Sequence, residues 1–400
     1  MNTRETDRTS THHVVVLGAG YAGMAAAVQL AARAGRQQGL TVTLVNAQDT
    51  FTERLRLHMT ATGQELAELS IPQVLEGTGA RFVRGWVTAV DADARTVRID
   101  DERVLHYDTL VYGLGSVADT GAVPGVEEHA YTLSGPEEAR SMADRLARLG
   151  SGTVVVAGSG LTGVESAAEI AERCPHLEVL LVGRQEPGAS MNPKARTHLR
   201  SALGRLGVRV RSGEEVAKVL PGAVELAGGE TVAADAVLWT GGTRVSPLAA
   251  EAGLRVDERG RVLTDTALRS ESHPDVYAVG DAAAVRQGYG VMHGTCQSGM
   301  PTGVHAALSI VRTLRGKQPK PFRFGYYHTP VSLGRNDGVV QFTRPDDSPR
   351  RICLTGRAAA RYKEAVTASP WPTYGRMKKM PASGAFWPRG GRFTRLKGAL

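Results

Sequence analysis

Four hundred residues with 42% apolar content are enough for two or three domains, and the 47 glycines suit tight turns and close backbone approaches. The cysteines, Cys174, Cys296 and Cys353, form no C-x-x-C or C-x-x-x-x-C pair, which excludes a local redox disulfide of that kind and a zinc-site spacing. The net charge of +8 suits an anionic membrane surface, a nucleic acid or polyanionic cofactors, while the lack of about 18 uninterrupted apolar residues excludes a membrane-spanning helix.

Residues 1–11 read as a disordered leader without the apolar stretch of a signal peptide, so a reduced, cytoplasmic location is expected. Val14 to Leu17 is a buried strand, Ala22 to Arg33 a helix, and Val42 to Val45 the next strand. Between strand and helix lies Gly18-Ala19-Gly20-Tyr21-Ala22-Gly23, a G-x-G-x-x-G. In such a loop Gly18 makes the tight turn, Gly20 admits a diphosphate to the backbone, and Gly23 lets the helix pack on the strand. The helix N-terminus adds unpaired N–H groups and partial positive charge. Arg81 to Val90 and Thr96 to Ile99 read as strands of a meander turning at Asp91-Ala92-Asp93. A short buried strand from Asp108 ends in Gly113-Leu114-Gly115-Ser116, and Gly121, Pro124 and Gly125 mark a linker.

The plan then repeats. Val154 to Ala157 leads into Gly158-Ser159-Gly160-Leu161-Thr162-Gly163, a helix, and a strand reaching Val182. Val208 to Val210, Ala223 to Leu226 and Ala236 to Trp239 are further strands, the last ending in Thr240-Gly241-Gly242. One fingerprint is a weak signal. Two in matching contexts point to an internal duplication, to two dinucleotides, and to an electron passed between them. Later, a strand from Val276 delivers Gly280-Asp281. Glycine there permits close approach of a ligand, and the carboxylate can accept hydrogen bonds from hydroxyls.

In this order the two fingerprints, the Asp108–Ser116 and Asp235–Gly242 strands and Gly280-Asp281 resemble the two-dinucleotide-binding flavoproteins. Within them the chain is similar to the type II NADH:quinone dehydrogenases and their apoptosis-inducing-factor-like relatives, over roughly residues 13–310. The resemblance implies an α/β fold of two Rossmann-like dinucleotide-binding domains with meander insertions. The FAD domain would comprise residues 12–118 and 244–318, around an inserted NAD(P) domain at 119–243. A small C-terminal α+β region, 319–400, would cap the flavin and mediate dimer or membrane contact. FAD would lie on Gly18, Gly20, Tyr21, Ala22, Gly23, Gly115, Gly280 and Asp281, and the nicotinamide nucleotide on Gly158, Gly160, Leu161, Thr162, Gly163 and Gly241.

Several positions depart from the family pattern. Asn46 replaces the acid that binds ribose hydroxyls; it keeps the hydrogen bond without the charge. Arg54 reads equally as a diphosphate contact or as a surface arginine. At the matching place in the second unit stands Gly183, followed by Arg184, which favours NADPH over NADH. Glu165 falls in the first turn of its helix, where a carboxylate suits the dipole; the resemblance places it near the nicotinamide and flavin rings. Glu169 reads as structural. Gln297 matches the quinone-site glutamine of relatives, but Cys296 replaces an alanine and Pro301 lies near the place of a second glutamine. Cys296 reads as a reactive thiol beside the flavin or as a small buried group. A Cys296–Cys353 pair would resemble the sulfide:quinone oxidoreductases.

The tail, residues 376–400, carries Arg376, Lys378, Lys379, Arg389, Arg392, Arg395 and Lys397, no acid, and interleaved Met377, Met380, Phe386, Trp387 and Phe393. That mix suits peripheral docking at the inner face of a membrane, a solvated tail, or packing on a second subunit of a homodimer. Pro381 and Pro388 argue against one long amphipathic helix, and no nucleic-acid-binding fold accompanies the charge. The expected activity is an FAD-dependent NAD(P)H oxidoreductase passing hydride from nicotinamide to flavin N5 and on to a quinone-like acceptor. Two alternatives keep the flavin. One is a reductase of small aromatic metabolites or of a ferredoxin; the other is a slow redox sensor like apoptosis-inducing factor.

Overall fold

The computed structural model describes residues 11–34 and 39–396. All but the last residue of the expected leader, and Lys397 of the tail, lie outside the described residues. Five strands form the first sheet, in the order Val276–Ala278, Thr109–Tyr112, His12–Leu17, Leu40–Asn46, Arg81–Arg84, and every pairing is parallel. Its central strands are apolar because both faces are covered; Val14 to Leu17 are wholly buried. The alanine-rich helix Tyr21–Ala34 that follows the glycine loop packs on one face.

One expected element divides in two. Arg81–Arg84 belongs to this parallel sheet, and the antiparallel meander is Val87–Asp91, Thr96–Ile99 and Arg103–His106. The break is Gly85, whose N–H donates to Asn46 O and whose missing Cβ leaves room for the side chains of Ile99, Asp100 and Arg103. Apolar alternation runs through this point, so periodicity alone joined the two strands.

The second unit repeats the layout. Its parallel sheet runs Arg209–Ser212, Leu177–Gly183, Gly152–Ala157, Ala236–Trp239. The meander Val216–Leu220, Ala223–Leu226, Thr231–Ala233 covers one face. The chain crosses between units along Ser116–Ala118 and back along Thr243–Val245, and these two segments pair antiparallel. Val276–Ala278 then completes the first sheet. The helix Cys296–Leu314 lies across Tyr21–Ala34; any side chain at Gly303 would overlap the Ala22 carbonyl oxygen.

The C-terminal region is an antiparallel sheet, His328–Ser332, Gly338–Thr343 and Pro349–Thr355, followed by helices Arg357–Ala368 and Pro370–Lys379. Val331, Leu333 and Val339 of this cap share a core with the second unit. Polar contacts add to that seam: Asn192 N–H donates to Gln341 Oε1 at 2.9 Å, and Asp337 accepts from His198 at 2.7 Å and Arg205 at 2.6 Å.

The basic tail folds back as a ten-residue helix and two short 3-10 turns. Tyr374 donates to Tyr21 O, Gln29 to Pro381 O, and Trp387 to Arg323 O. Met380 and Phe386 stay outside, Phe386 at 88% exposure. Among the described residues, no helix is long and apolar enough to cross a membrane.

Candidate functional site

Both fingerprints adopt one geometry. Gly18 has φ +84°, and a Cβ there would lie 2.5 Å from Gly113 O; a Cβ at Gly23 would overlap Gly18 O. Gly158 has φ +117°, and a Cβ at Gly163 would overlap Gly158 O. Only glycine satisfies these positions, by conformation at the first and by close approach at the third. Nothing lies within 4 Å of a Cβ built on Gly20 or Gly160. That space, in front of a helix N-terminus, is where a diphosphate fits. Tyr21 and Ala22 open the first helix and are buried; Leu161 and Thr162 open the second and are exposed.

Around the first fingerprint, Asn46 Oδ1 accepts from Ala19 N–H at 2.9 Å and its Nδ2 donates to Gln48 O at 2.7 Å. The asparagine ties the glycine loop to the end of its strand. Asp281 accepts from Ser116 Oγ at 2.7 Å, and Gly280 N–H donates to Thr302 Oγ1 at 2.9 Å. Arg54 reaches Ser116 O at 2.7 Å, so it supports this corner. Gly115, with φ +68°, faces open space. Gly241 lies against the Trp239 ring.

Helix Cys296–Leu314 begins here. Thr295 caps it reciprocally with Ser298, and Pro301 cannot donate back to the Gln297 carbonyl. Gln297 Nε2 donates to His328 O at 3.1 Å, while its Oε1 is buried and has no hydrogen-bond partner among the described residues. Burial and the Asp281 carboxylate push the Cys296 thiol up to about 12, against the pull of Lys363 and Arg54. Cys296 therefore stays protonated at neutral pH. It packs on the first core and Cys353 on the second, and all three cysteines are free. The two are not brought together as a pair.

Glu165 requires a correction. Its helix starts at Leu161, so Glu165 opens the second turn and points inward, buried rather than capping. Its Oε1 accepts from Lys363 Nζ at 2.8 Å, Ser332 N–H at 2.9 Å and Ser332 Oγ at 3.0 Å. Burial favours the neutral acid, but Lys363 and then His58 outweigh it and hold the carboxyl below its usual range. Glu169, one turn on, accepts from Gln64 at 2.5 Å with Arg335 at 3.7 Å, and burial raises its pKa. Sequence reasoning missed Lys363 and Ser332. A signal existed for the lysine: Ala359, Lys363 and Thr367 form the buried stripe of their helix, so a cation stands where an apolar residue is expected.

His58 closes this cluster, its Nε2 3.5 Å from Ser332 Oγ. Burial pushes its pKa down to about 4, as burial does for His305. The unfolded chain titrates these rings near 6.5, so between those values it binds more protons than the fold does. Stability is therefore expected to fall as pH drops through this window, by about 3 kcal/mol per ring at the lower end. Thermal melts taken in steps from neutral pH down to that end would show it; a constant Tm would contradict it.

Two parallel sheets, each with a glycine loop shaped for a diphosphate, define a two-dinucleotide oxidoreductase fold. The pattern of the pyridine nucleotide-disulphide oxidoreductases matches residues 12–308, and the chain belongs to that family. It is 31% identical over 375 residues to an NADH dehydrogenase-like protein of Mycobacterium tuberculosis, covering 88% of this chain and 92% of that one. It is 29% identical to the type II NADH:quinone oxidoreductase of Staphylococcus epidermidis, over 82% and 88% of the two chains. In fold it resembles NDH2 from Plasmodium falciparum, solved with NADH, at TM-score 0.76 and 14% identity over 96% of this chain and all of that one. The sulfide:quinone oxidoreductase of Aquifex aeolicus also has TM-score 0.76, at 19% identity over 89% and 90%.

The residues present fit FAD. The Gly18–Gly23 cradle has room for a diphosphate, Asp281 could accept from ribityl hydroxyls, and Gln297 Oε1 is a buried acceptor unpartnered among the described residues.

Proposed function

We propose that this protein is a flavin-dependent NAD(P)H dehydrogenase that delivers electrons to a quinone or quinone-like acceptor. What supports this reading most is Lys363. It joins Glu165, on the nucleotide-binding helix, and lies close enough to Cys296, beside Asp281, to act on that thiol. Lys363 thus ties the C-terminal cap to the helix that follows the second glycine loop. Bound FAD would supply the two-electron chemistry, accepting hydride from nicotinamide and passing electrons on. Glycines 18, 20 and 23 and Asp281 hold the cofactor, and glycines 158, 160 and 163 hold the nucleotide. Lys363 Nζ, held by Glu165 at 2.8 Å, would donate to an acceptor oxygen that gains negative charge. Gln297, fixed by His328 O, presents Oε1 to a donor. The quinone reading draws on the relatives named NADH:quinone oxidoreductases.

The nucleotide in this proposal is NADPH. Gly183 brings no carboxylate, and Arg184, 74% exposed, is paired among the described residues with exposed Glu215 alone, at 3.6 Å. Such a pair is worth at most about 1 kcal/mol, so the guanidinium is free to exchange it for a phosphate. Phe386 and Met380, among Lys378, Lys379, Arg389 and Arg392, face an anionic bilayer that holds the acceptor.

The test is anaerobic stopped-flow reduction, followed by turnover with a water-soluble quinone and with quinone in anionic vesicles. Rapid bleaching of flavin absorbance, faster with NADPH, and higher turnover on vesicles are expected. Bound flavin reduced by neither nucleotide would overturn the dehydrogenase.

A further inference from the structure

We propose that Ser159 is a specificity-determining residue of the nucleotide site: its side chain fills the place an acid would need at position 183 and so leaves the ribose 2′ position to Arg184. This rests on the NADPH reading above and names the device behind it.

The two units can be superposed by register. Leu17 pairs with Val45 in the first and Ala157 with Val182 in the second, so Ala19 matches Ser159 and Asn46 matches Gly183. In the first unit the larger partner is on the strand: Asn46 reaches across to the N–H of the small Ala19. In the second unit the sizes are traded. Gly183 has no side chain, and Ser159 reaches across from the loop, its Oγ donating to Gln185 O at 2.7 Å. A Cβ built on Gly183 would overlap Ser159 Oγ and lie 2.5 Å from Ser159 Cβ and 2.7 Å from its N. An aspartate or glutamate fits there only if the loop carrying Ser159 shifts.

Two consequences bear on the ligand. Position 183 brings no carboxylate to repel a 2′-phosphate. The serine bond also pins the Gly183–Gln185 turn across the glycine loop, with Arg184 as its exposed apex. Of the nearby carboxylates, Glu186 is engaged by Arg200, and Glu215 is the exposed partner that Arg184 would give up for a phosphate. The group left for the 2′ position is a guanidinium, whose planar fork matches a phosphate.

The probes are 5′-AMP and adenosine 2′,5′-bisphosphate, titrated calorimetrically into the oxidised holoenzyme, so no turnover is needed. The wild type is expected to bind the bisphosphate about tenfold or more tightly, and Arg184→Gln to erase that ratio. Gly183→Ala should weaken both probes by about tenfold with flavin content unchanged. Adding Ser159→Gly should restore part of the loss, the contact with the backbone nitrogen remaining. Ser159→Gly with Gly183→Asp should bring the ratio to one or below. If Gly183→Asp alone lowers the ratio as far as the double variant, or if Gly183→Ala has no effect, Ser159 is not the obstacle and the inference falls. If the wild type binds both probes equally while the Ser159–Gly183 coupling holds, the NADPH reading falls and the exclusion of an acid stands.

Discussion

Lys363→Met is expected to destabilise the protein by about 3–5 kcal/mol and to slow electron delivery to quinone by about a hundredfold or more, while leaving reduction by nucleotide nearly intact. The stability loss follows from Glu165. Its carboxylate is buried, and without Lys363 the neighbours left to it among the described residues are Ser332 and His58. An uncompensated buried charge costs far more than the pair gained by forming. The kinetic loss follows from removing the hydrogen-bond donor that Nζ would offer to the acceptor. Glu165→Gln should destabilise as well, because it strips buried Lys363 of its counter-charge, although an amide can still accept from Ser332 N–H. Thermal denaturation and the two half-reactions measured separately would check this. Equal slowing of both half-reactions would mean that Lys363 only holds the cap in place.

Gly23→Ala and Gly163→Ala should separate the two sites. Each introduces a methyl group that overlaps a carbonyl oxygen, Gly18 O in one case and Gly158 O in the other. A backbone oxygen cannot rotate away, so the helix must shift off its loop, at a cost of about 1–3 kcal/mol or more at the diphosphate cradle. Gly23→Ala is expected to purify with less than about a tenth of the wild-type flavin. Gly163→Ala should stay yellow, yet need at least about tenfold more NADPH for half-maximal reduction. Flavin content by absorbance and anaerobic titration would read both. A Gly163→Ala protein that loses its flavin would break the assignment of one cofactor to each loop.

The parts legible in the sequence are those written in short-range chemistry. Gly18, Gly23, Gly158 and Gly163 are required by the turn and by helix contact, so spacing reveals them. Apolar strands before each loop announce a parallel sheet for the same local reason. Lys363, Ser332 and Gln64 were not legible, because each meets the second-fingerprint helix only after the whole chain has folded. Glu165 was found, but its place on the helix was misread by one turn of reasoning: a carboxylate near a helix start suggests a cap, and only tertiary contact supplies the lysine that draws it inward. Arg81–Val90 failed differently. Alternation continues across Gly85, and only the side chains of the meander show why the chain must leave the sheet there. Gly183 looked like a missing acid; that Ser159 fills the gap is a contact between two loops.

The antiparallel crossing of Ser116–Ala118 with Thr243–Val245 has a bearing on biosynthesis. The inserted unit has all four strands of its sheet once the ribosome has passed Trp239, whereas the host sheet waits for Val276–Ala278. The guest's framework can thus assemble before that of its host, since domains fold as units during synthesis. One face of the guest must still wait, because Val331, Leu333 and Val339 emerge last and complete its core. Whatever halts translation between those points leaves a nascent protein with its apolar seam uncovered.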